Sequence, residues 1–199
     1  MFVLGLTGSL AMGKSAAARF FADEGVPVHD ADATVHRLYE REAAPVIEAA
    51  FPGTTAGGKV DRTKLAARVV GDPVALKRLE GIVHPMVQAA EAIFLADAQS
   101  AGATVAVLDI PLLYETGGDK RVDAVVVVSA PAEVQRARIL KRDGMSLDKL
   151  ETLLARQLPD ADKRRRADFV VDTSGEFAAT HAQLRRILRA VTTMPKRRK

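Results

Sequence analysis

The chain has 199 residues, no cysteine, 48% hydrophobic and 27% charged residues, and a formal net charge of +4. This length and composition exclude a disordered chain and suit one α/β domain with insertions. The lack of cysteine excludes disulfides and thiolate metal sites and points to a reducing cytoplasm, and no apolar run is long enough for a signal-peptide core or a membrane span.

Phe2 to Leu6 is an apolar run that reads as a first strand. Gly8-Ser9-Leu10-Ala11-Met12-Gly13-Lys14-Ser15 follows and satisfies the Gly-x-x-x-x-Gly-Lys-Ser/Thr pattern of a phosphate-binding loop. Gly8 and Gly13 adopt backbone angles closed to other residues and let a phosphate approach the main chain. Consecutive N–H groups form an anion nest there, and the helix starting near Lys14 adds its positive end. In such a loop Lys14 reaches the β- and γ-phosphates, and the Ser15 hydroxyl ligates Mg²⁺. Ala16 begins a run of helix formers, which Gly25 ends as a C-cap.

Val26 to Asp32 reads as a second short strand entering a polar turn. Ligands of open α/β sheets sit at the carboxyl ends of strands, so Asp30 and Asp32 are candidates for acid–base or metal work. Alternatively, Asp32 caps the helix that begins at Ala33. The stretch from Thr34 to Gly102 reads as helices divided by Pro45, Pro52-Gly53, Gly57-Gly58, Gly71-Asp72-Pro73 and His84-Pro85, with no strand. Its last helix is expected to start at Pro85.

Thr104 to Asp109 is the third strand, and its terminal Asp109 resembles a Walker B carboxylate that holds Mg²⁺ through water. Val122 to Pro131, rich in valine, reads as a fourth strand buried on both faces. Between it and the fifth strand, Phe169 to Asp172, lies a basic segment. Arg138 and Arg142 share one helix face there and suit a lid over a triphosphate. Lys163 to Arg166 read as a solvated basic group. A last helix runs from about Phe177 to Val191, and Pro195 to Lys199 reads as a frayed tail. Aromatic residues are 5% of the chain with no tryptophan, too few to interleave a nucleic-acid surface, so polyanionic small molecules account for the basic balance.

These elements predict an α/β P-loop kinase-like fold: a five-stranded parallel sheet with helices on both faces, a helical acceptor-binding insertion and an arginine-bearing lid. The chain also resembles the dephospho-CoA kinases. Leu4 to Gly8 with Gly13-Lys14-Ser15 is similar to their opening motif, Asp30-Ala31-Asp32 to D-A-D, and Asp61-Arg62 to D-R. Leu79 to Pro85 is similar to L-x-x-I-x-H-P, Asp109 to Glu115 to D-I-P-L-L-F-E, and Asp172 to Gly175 to D-N-S-G. Gln135, Arg138, Arg142-Asp143, Gln157, Lys163 and Ala167-Asp168 resemble the family's lid. Ser9, Ala11 and Met12 depart from the usual loop.

The resemblance implies one kinase domain over 1–199, with a core of about 1–33, 103–134 and 167–199, an acceptor insertion of about 34–102 and a lid of about 135–166. It implies a monomeric cytoplasmic enzyme, with no nucleic-acid or membrane partner, that phosphorylates the ribose 3′-hydroxyl of 3′-dephospho-CoA with ATP and Mg²⁺. Asp32, Lys14 and Arg138 are then the catalytic residues. Gly8 to Ala16 and Arg142 hold ATP, and Ser15 and Asp109 the metal. Asp32, Arg62, His84, Pro111, Leu112, Leu113 and Glu115 meet the acceptor, although His84 also reads as the cap of the helix at Pro85. Two other readings are another P-loop small-molecule kinase and a nucleotide-binding switch; the chain has no Asn-Lys-x-Asp guanine motif of the latter.

Overall fold

The structure is a computed structural model that describes residues 1–141, 154 and 157–197. The chain divides into two compact units, Met1–His29 with Ala98–Lys199, and Asp30–Asp97.

The first unit is built on a five-stranded sheet. Its strands are β1 (Phe2–Thr7), β2 (Val28–Asp30), β5 (Val105–Asp109), β6 (Ala124–Ser129) and β7 (Phe169–Asp172), in the spatial order β2-β5-β1-β6-β7. β1 runs parallel to both β5 and β6, and β6 parallel to β7. Every residue of β1, β5 and β6 is buried, the expected state of apolar strands covered on both faces. The helices α1 (Lys14–Asp23) and α8 (Phe177–Val191) pack against each other, and α8 buries Thr180, Leu184, Ile187 and Val191 at helical spacing. Phe20 and Phe21 of α1 join Leu4, Leu6, Val126 and Leu184 in one core. The α1 helix ends as a Schellman motif: Gly25 lies at φ 78°, its N–H donates to the Ala22 carbonyl, and Val26 N–H donates to that of Phe21.

The second unit contains α2 (Ala31–Glu40), α3 (Ala44–Ala50), a hairpin of β3 (Thr55–Ala56) and β4 (Lys59–Val60), α4 (Arg62–Val69) and most of α5 (Pro73–Ser100). Its own core gathers Ile47, Phe51, Leu65, Leu79 and Val83. Two expectations are corrected here. The stretch is not free of strands: Gly57 and Gly58, at φ 58° and 78°, make the two-residue turn that a tight antiparallel hairpin requires. The final helix does not begin at Pro85, which lies inside α5. It begins at Pro73, where the Asp72 carboxylate accepts from the N–H groups of Val74 and Ala75. Leu79 and Val83 on one side of Pro85, and Met86 and Val87 on the other, pack into the same core, which carries the helix through the missing N–H.

The C-terminal α6 (Ala132–Leu140) and α7 (Asp160–Arg166) complete the first unit. The tail is not frayed as far as Arg197, whose guanidinium donates to both oxygens of Asp168 at 2.7 and 2.9 Å. Among the described residues, no helix is long and apolar enough to cross a membrane.

Candidate active site

The turn from β1 into α1 forms the phosphate loop. A Cβ on Gly8 would lie 2.5 Å from Val128 Cγ2 and 2.7 Å from its carbonyl oxygen, so only glycine fits against β6. Gly13, at φ 91°, occupies the N-cap position of α1 in the left-handed region. Ala11 is also left-handed, at φ 61°, a conformation that costs an L-residue roughly 1–2 kcal/mol. Its side chain is buried against Ile139 of α6, a contact that a glycine at this position would lack. Met12 N–H donates to the Ser9 carbonyl and tightens the turn.

Lys14 opens α1 and its ammonium meets the Asp109 carboxylate at 2.6 Å. Asp109 ends β5 and is buried, while Ser15 is exposed in the first turn of α1. A hydroxyl and a carboxylate are hard oxygen donors of the kind Mg²⁺ takes alongside phosphates and water, so this pair fits that ion. No cluster of three His, Asp or Glu side chains suited to a metal occurs among the described residues, and a site of one or two protein oxygens needs none.

Arg138 lies on α6, and its guanidinium donates to the Ala11 carbonyl at 3.3 Å and to the Thr173 hydroxyl and carbonyl at 3.2 and 2.5 Å. Arg142 lies outside the described residues. A groove of about 460 Å³ starts at Ser15 and Ala16 and runs past Arg19 and Asp23 to Phe177 and His181. Phe177 is largely exposed in it, and the sequence reading did not single out either aromatic.

The turn after β5 holds Pro111, Leu112, Leu113 and Glu115. Leu112 is exposed and Leu113 fully buried. Lys163, expected among solvated basic residues, is instead 0% exposed. Its ammonium pairs with Glu115 Oε1 at 2.9 Å and donates to the Pro111 carbonyl at 3.3 Å, which also accepts from the Thr7 hydroxyl. The same Glu115 oxygen accepts from Leu158 N–H at 2.8 Å. Arg166 covers the Tyr114 ring at 4.2 Å.

Burial pushes the Tyr114 phenol up to about 12, and burial likewise raises that of Tyr39, against the opposing pull of Arg62. These are the chain's two tyrosines. Both folded values lie above the unfolded value near 10, so their stabilisation is intact below about pH 10 and is lost as pH rises through the folded values. Phenolate absorbance of folded protein should therefore lag that of a denatured sample between about pH 10 and 12. Coincident curves would contradict the burial of both rings.

In the second unit, the Asp30 carboxylate, not that of Asp32, caps α2 by accepting from Ala33 N–H at 2.9 Å. Two residues on, Asp32 is exposed in the first turn, and its side chain makes no hydrogen bond or ion pair among the described residues. Arg62 follows the capping Asp61 and lies over the Tyr39 ring at 5.6 Å. His84 is exposed within α5, which overturns its reading as a cap.

Fold and site together define a phosphotransferase of the P-loop kinase class. The family model described as dephospho-CoA kinase matches residues 2–179. A dephospho-CoA kinase of Rhodopseudomonas palustris is 66% identical over 198 residues, covering 100% of both chains. A Thermus thermophilus crystal structure superposes with a TM-score of 0.86 at 32% identity, covering 97% of this chain and 98% of that one. A dephospho-CoA kinase from Campylobacter jejuni, at 24% identity and TM-score 0.72 over 96% of each chain, shares the fold. The chain belongs to the dephospho-CoA kinase family, the kinases that complete coenzyme A biosynthesis.

Proposed function

We propose that the chain transfers the γ-phosphoryl group of ATP to the ribose 3′-hydroxyl of 3′-dephospho-CoA, with Asp32 as the acceptor-side carboxylate. The observation that supports this most directly is the Gly8–Ser15 loop with Lys14 and Asp109 at its mouth, within a chain of this family. The loop of residues 8 to 16 binds the phosphates through main-chain N–H groups that its own turn leaves open, among them those of Ala11 and Gly13. Lys14 leaves Asp109 for the β- and γ-phosphates, where it offsets the charge of the transferring group. Ser15 and Asp109 would hold Mg²⁺, which when bound supplies charge neutralisation across the phosphates. The groove from Ser15 to Phe177 takes the nucleoside, and Arg138 and Arg142 serve the donor side.

On the acceptor side, Asp32 orients the hydroxyl and takes its proton late, as the oxygen–phosphorus bond forms. A carboxylate is too weak a base to ionise an alcohol beforehand. Arg62, His84, Pro111 and Leu112 bind the acceptor, while Leu113 and Glu115 hold the turn that presents Leu112. The enzyme works as a cytoplasmic monomer on these two small molecules.

Coupled ADP release tests the reading with 3′-dephospho-CoA, adenosine, AMP and water offered as acceptors in the presence of Mg²⁺. ADP release should depend on 3′-dephospho-CoA. A preference for AMP or adenosine would reassign the chain to another small-molecule kinase reaction.

A further inference from the structure

The phosphate loop is held from behind by side chains that do not belong to it. Three consecutive loop carbonyls each accept from a side chain elsewhere in the first unit. Gln135 Nε2 donates to Leu10 O at 2.7 Å, Arg138 Nη1 to Ala11 O at 3.3 Å, and the Thr173 hydroxyl to Met12 O at 2.8 Å. Gln135 and Thr173 are both buried. Thr173 is the hub of this set. Its hydroxyl accepts from Arg138 and lies 3.2 Å from the Ser129 carbonyl, and its own carbonyl accepts the second Arg138 nitrogen. Its side chain also fills the space 3.2 Å from where a Gly13 Cβ would stand.

The planarity of the peptide unit gives this arrangement a consequence. In a trans peptide the carbonyl of one residue and the N–H of the next point in opposite directions. Pinning Leu10 O and Met12 O from behind therefore turns the N–H groups of Ala11 and Gly13 the other way, toward the anion nest. Among the described residues, these two N–H groups have no acceptor. A loop held so does not have to reorganise its donors when a phosphate arrives, and that saving appears as affinity.

We infer that Thr173, with Gln135, is a positioning residue for the donor's triphosphate: it presets the phosphate loop without touching the nucleotide. The inference rests on ATP being the phosphoryl donor.

Thr173→Val keeps the shape and removes the hydroxyl. It should raise KM for ATP by about three- to tenfold, the worth of one hydrogen bond, with KM for 3′-dephospho-CoA and kcat little changed. The stabilisation of the protein by saturating ATP should shrink in parallel. Thr173→Ser retains the hydroxyl and should restore both quantities. Gln135→Met, which removes the donor to Leu10 O, should shift KM for ATP in the same direction, and it carries the test alone if Thr173→Val does not fold. An unchanged KM for ATP in the variants would overturn the inference. So would an equal rise in both KM values, or a Thr173→Ser variant as impaired as Thr173→Val. Wild-type enzyme that does not use ATP would instead defeat the donor assignment, a result separable from all of these.

Discussion

Asp32→Asn should lower kcat by about 10²–10⁴-fold, the usual contribution of a positioned acid–base group, while KM for ATP stays within about twofold. The substitution keeps shape and polarity but removes the carboxylate proposed to take the acceptor's proton. Two features make the experiment clean. Asp32 makes no hydrogen bond or ion pair among the described residues, so no internal contact there is broken. The α2 cap is Asp30, which the substitution leaves in place. A charge in the first turn favours the helix by only about 0.3–1 kcal/mol, so the variant should remain folded. Asp30→Ala is the complementary control. It removes the cap, should cost about 0.5–2 kcal/mol, and should lower Tm more than Asp32→Asn does. Steady-state kinetics with both substrates and thermal unfolding of both variants separate the two aspartates. Equal losses of turnover and ATP affinity in Asp32→Asn would remove Asp32 from its acceptor-side role.

That pair of aspartates also shows where sequence reasoning reaches and where it stops. Asp30 and Asp32 both stand at the start of a helix, and spacing alone does not say which of them caps it. One hydrogen bond to Ala33 decides between them. The loop was legible because Gly8, Gly13, Lys14 and Ser15 each answer a steric or electrostatic demand, and the flanking strand and helix have the right character. The valines of β6 announced a strand covered on both faces for the same local reason. Pro85 was misread because Pro73 and Pro85 carry the same local signal, and only the shared packing of Leu79, Val83, Met86 and Val87 carries the helix past the second. The β3–β4 hairpin has strands of two residues, too short to show an alternating pattern, although Gly57-Gly58 was its visible trace. Lys163 failed for a longer-range reason. Its neighbours Arg164, Arg165 and Arg166 are exposed, and nothing in that run of four reveals that a glutamate 48 positions earlier draws one member inside.

Glu115→Gln should destabilise the protein by about 3–5 kcal/mol, the cost of leaving a buried charge without its partner. In a chain of this size that corresponds to roughly 2–4 °C of Tm for each kcal/mol. The ammonium of Lys163 is fully enclosed, and its carboxylate partner also anchors Leu158 N–H. Lys163→Met should also destabilise, because it leaves the Glu115 carboxylate, whose Oε2 is buried without a hydrogen-bond partner among the described residues, with only Leu158 N–H beside its charge. Removing both charges in Glu115→Gln/Lys163→Met should recover part of the loss, since no buried charge is then left without its partner. A coupling of about 0.5–3 kcal/mol in this cycle is the expected signature of two groups in direct contact. The cycle also decides what Glu115 does for the acceptor. As a strut for the turn from Pro111 to Glu115, it should raise KM for 3′-dephospho-CoA in the single variants and release it again in the double variant. A KM that stays high after stability returns would instead place the carboxylate on the substrate.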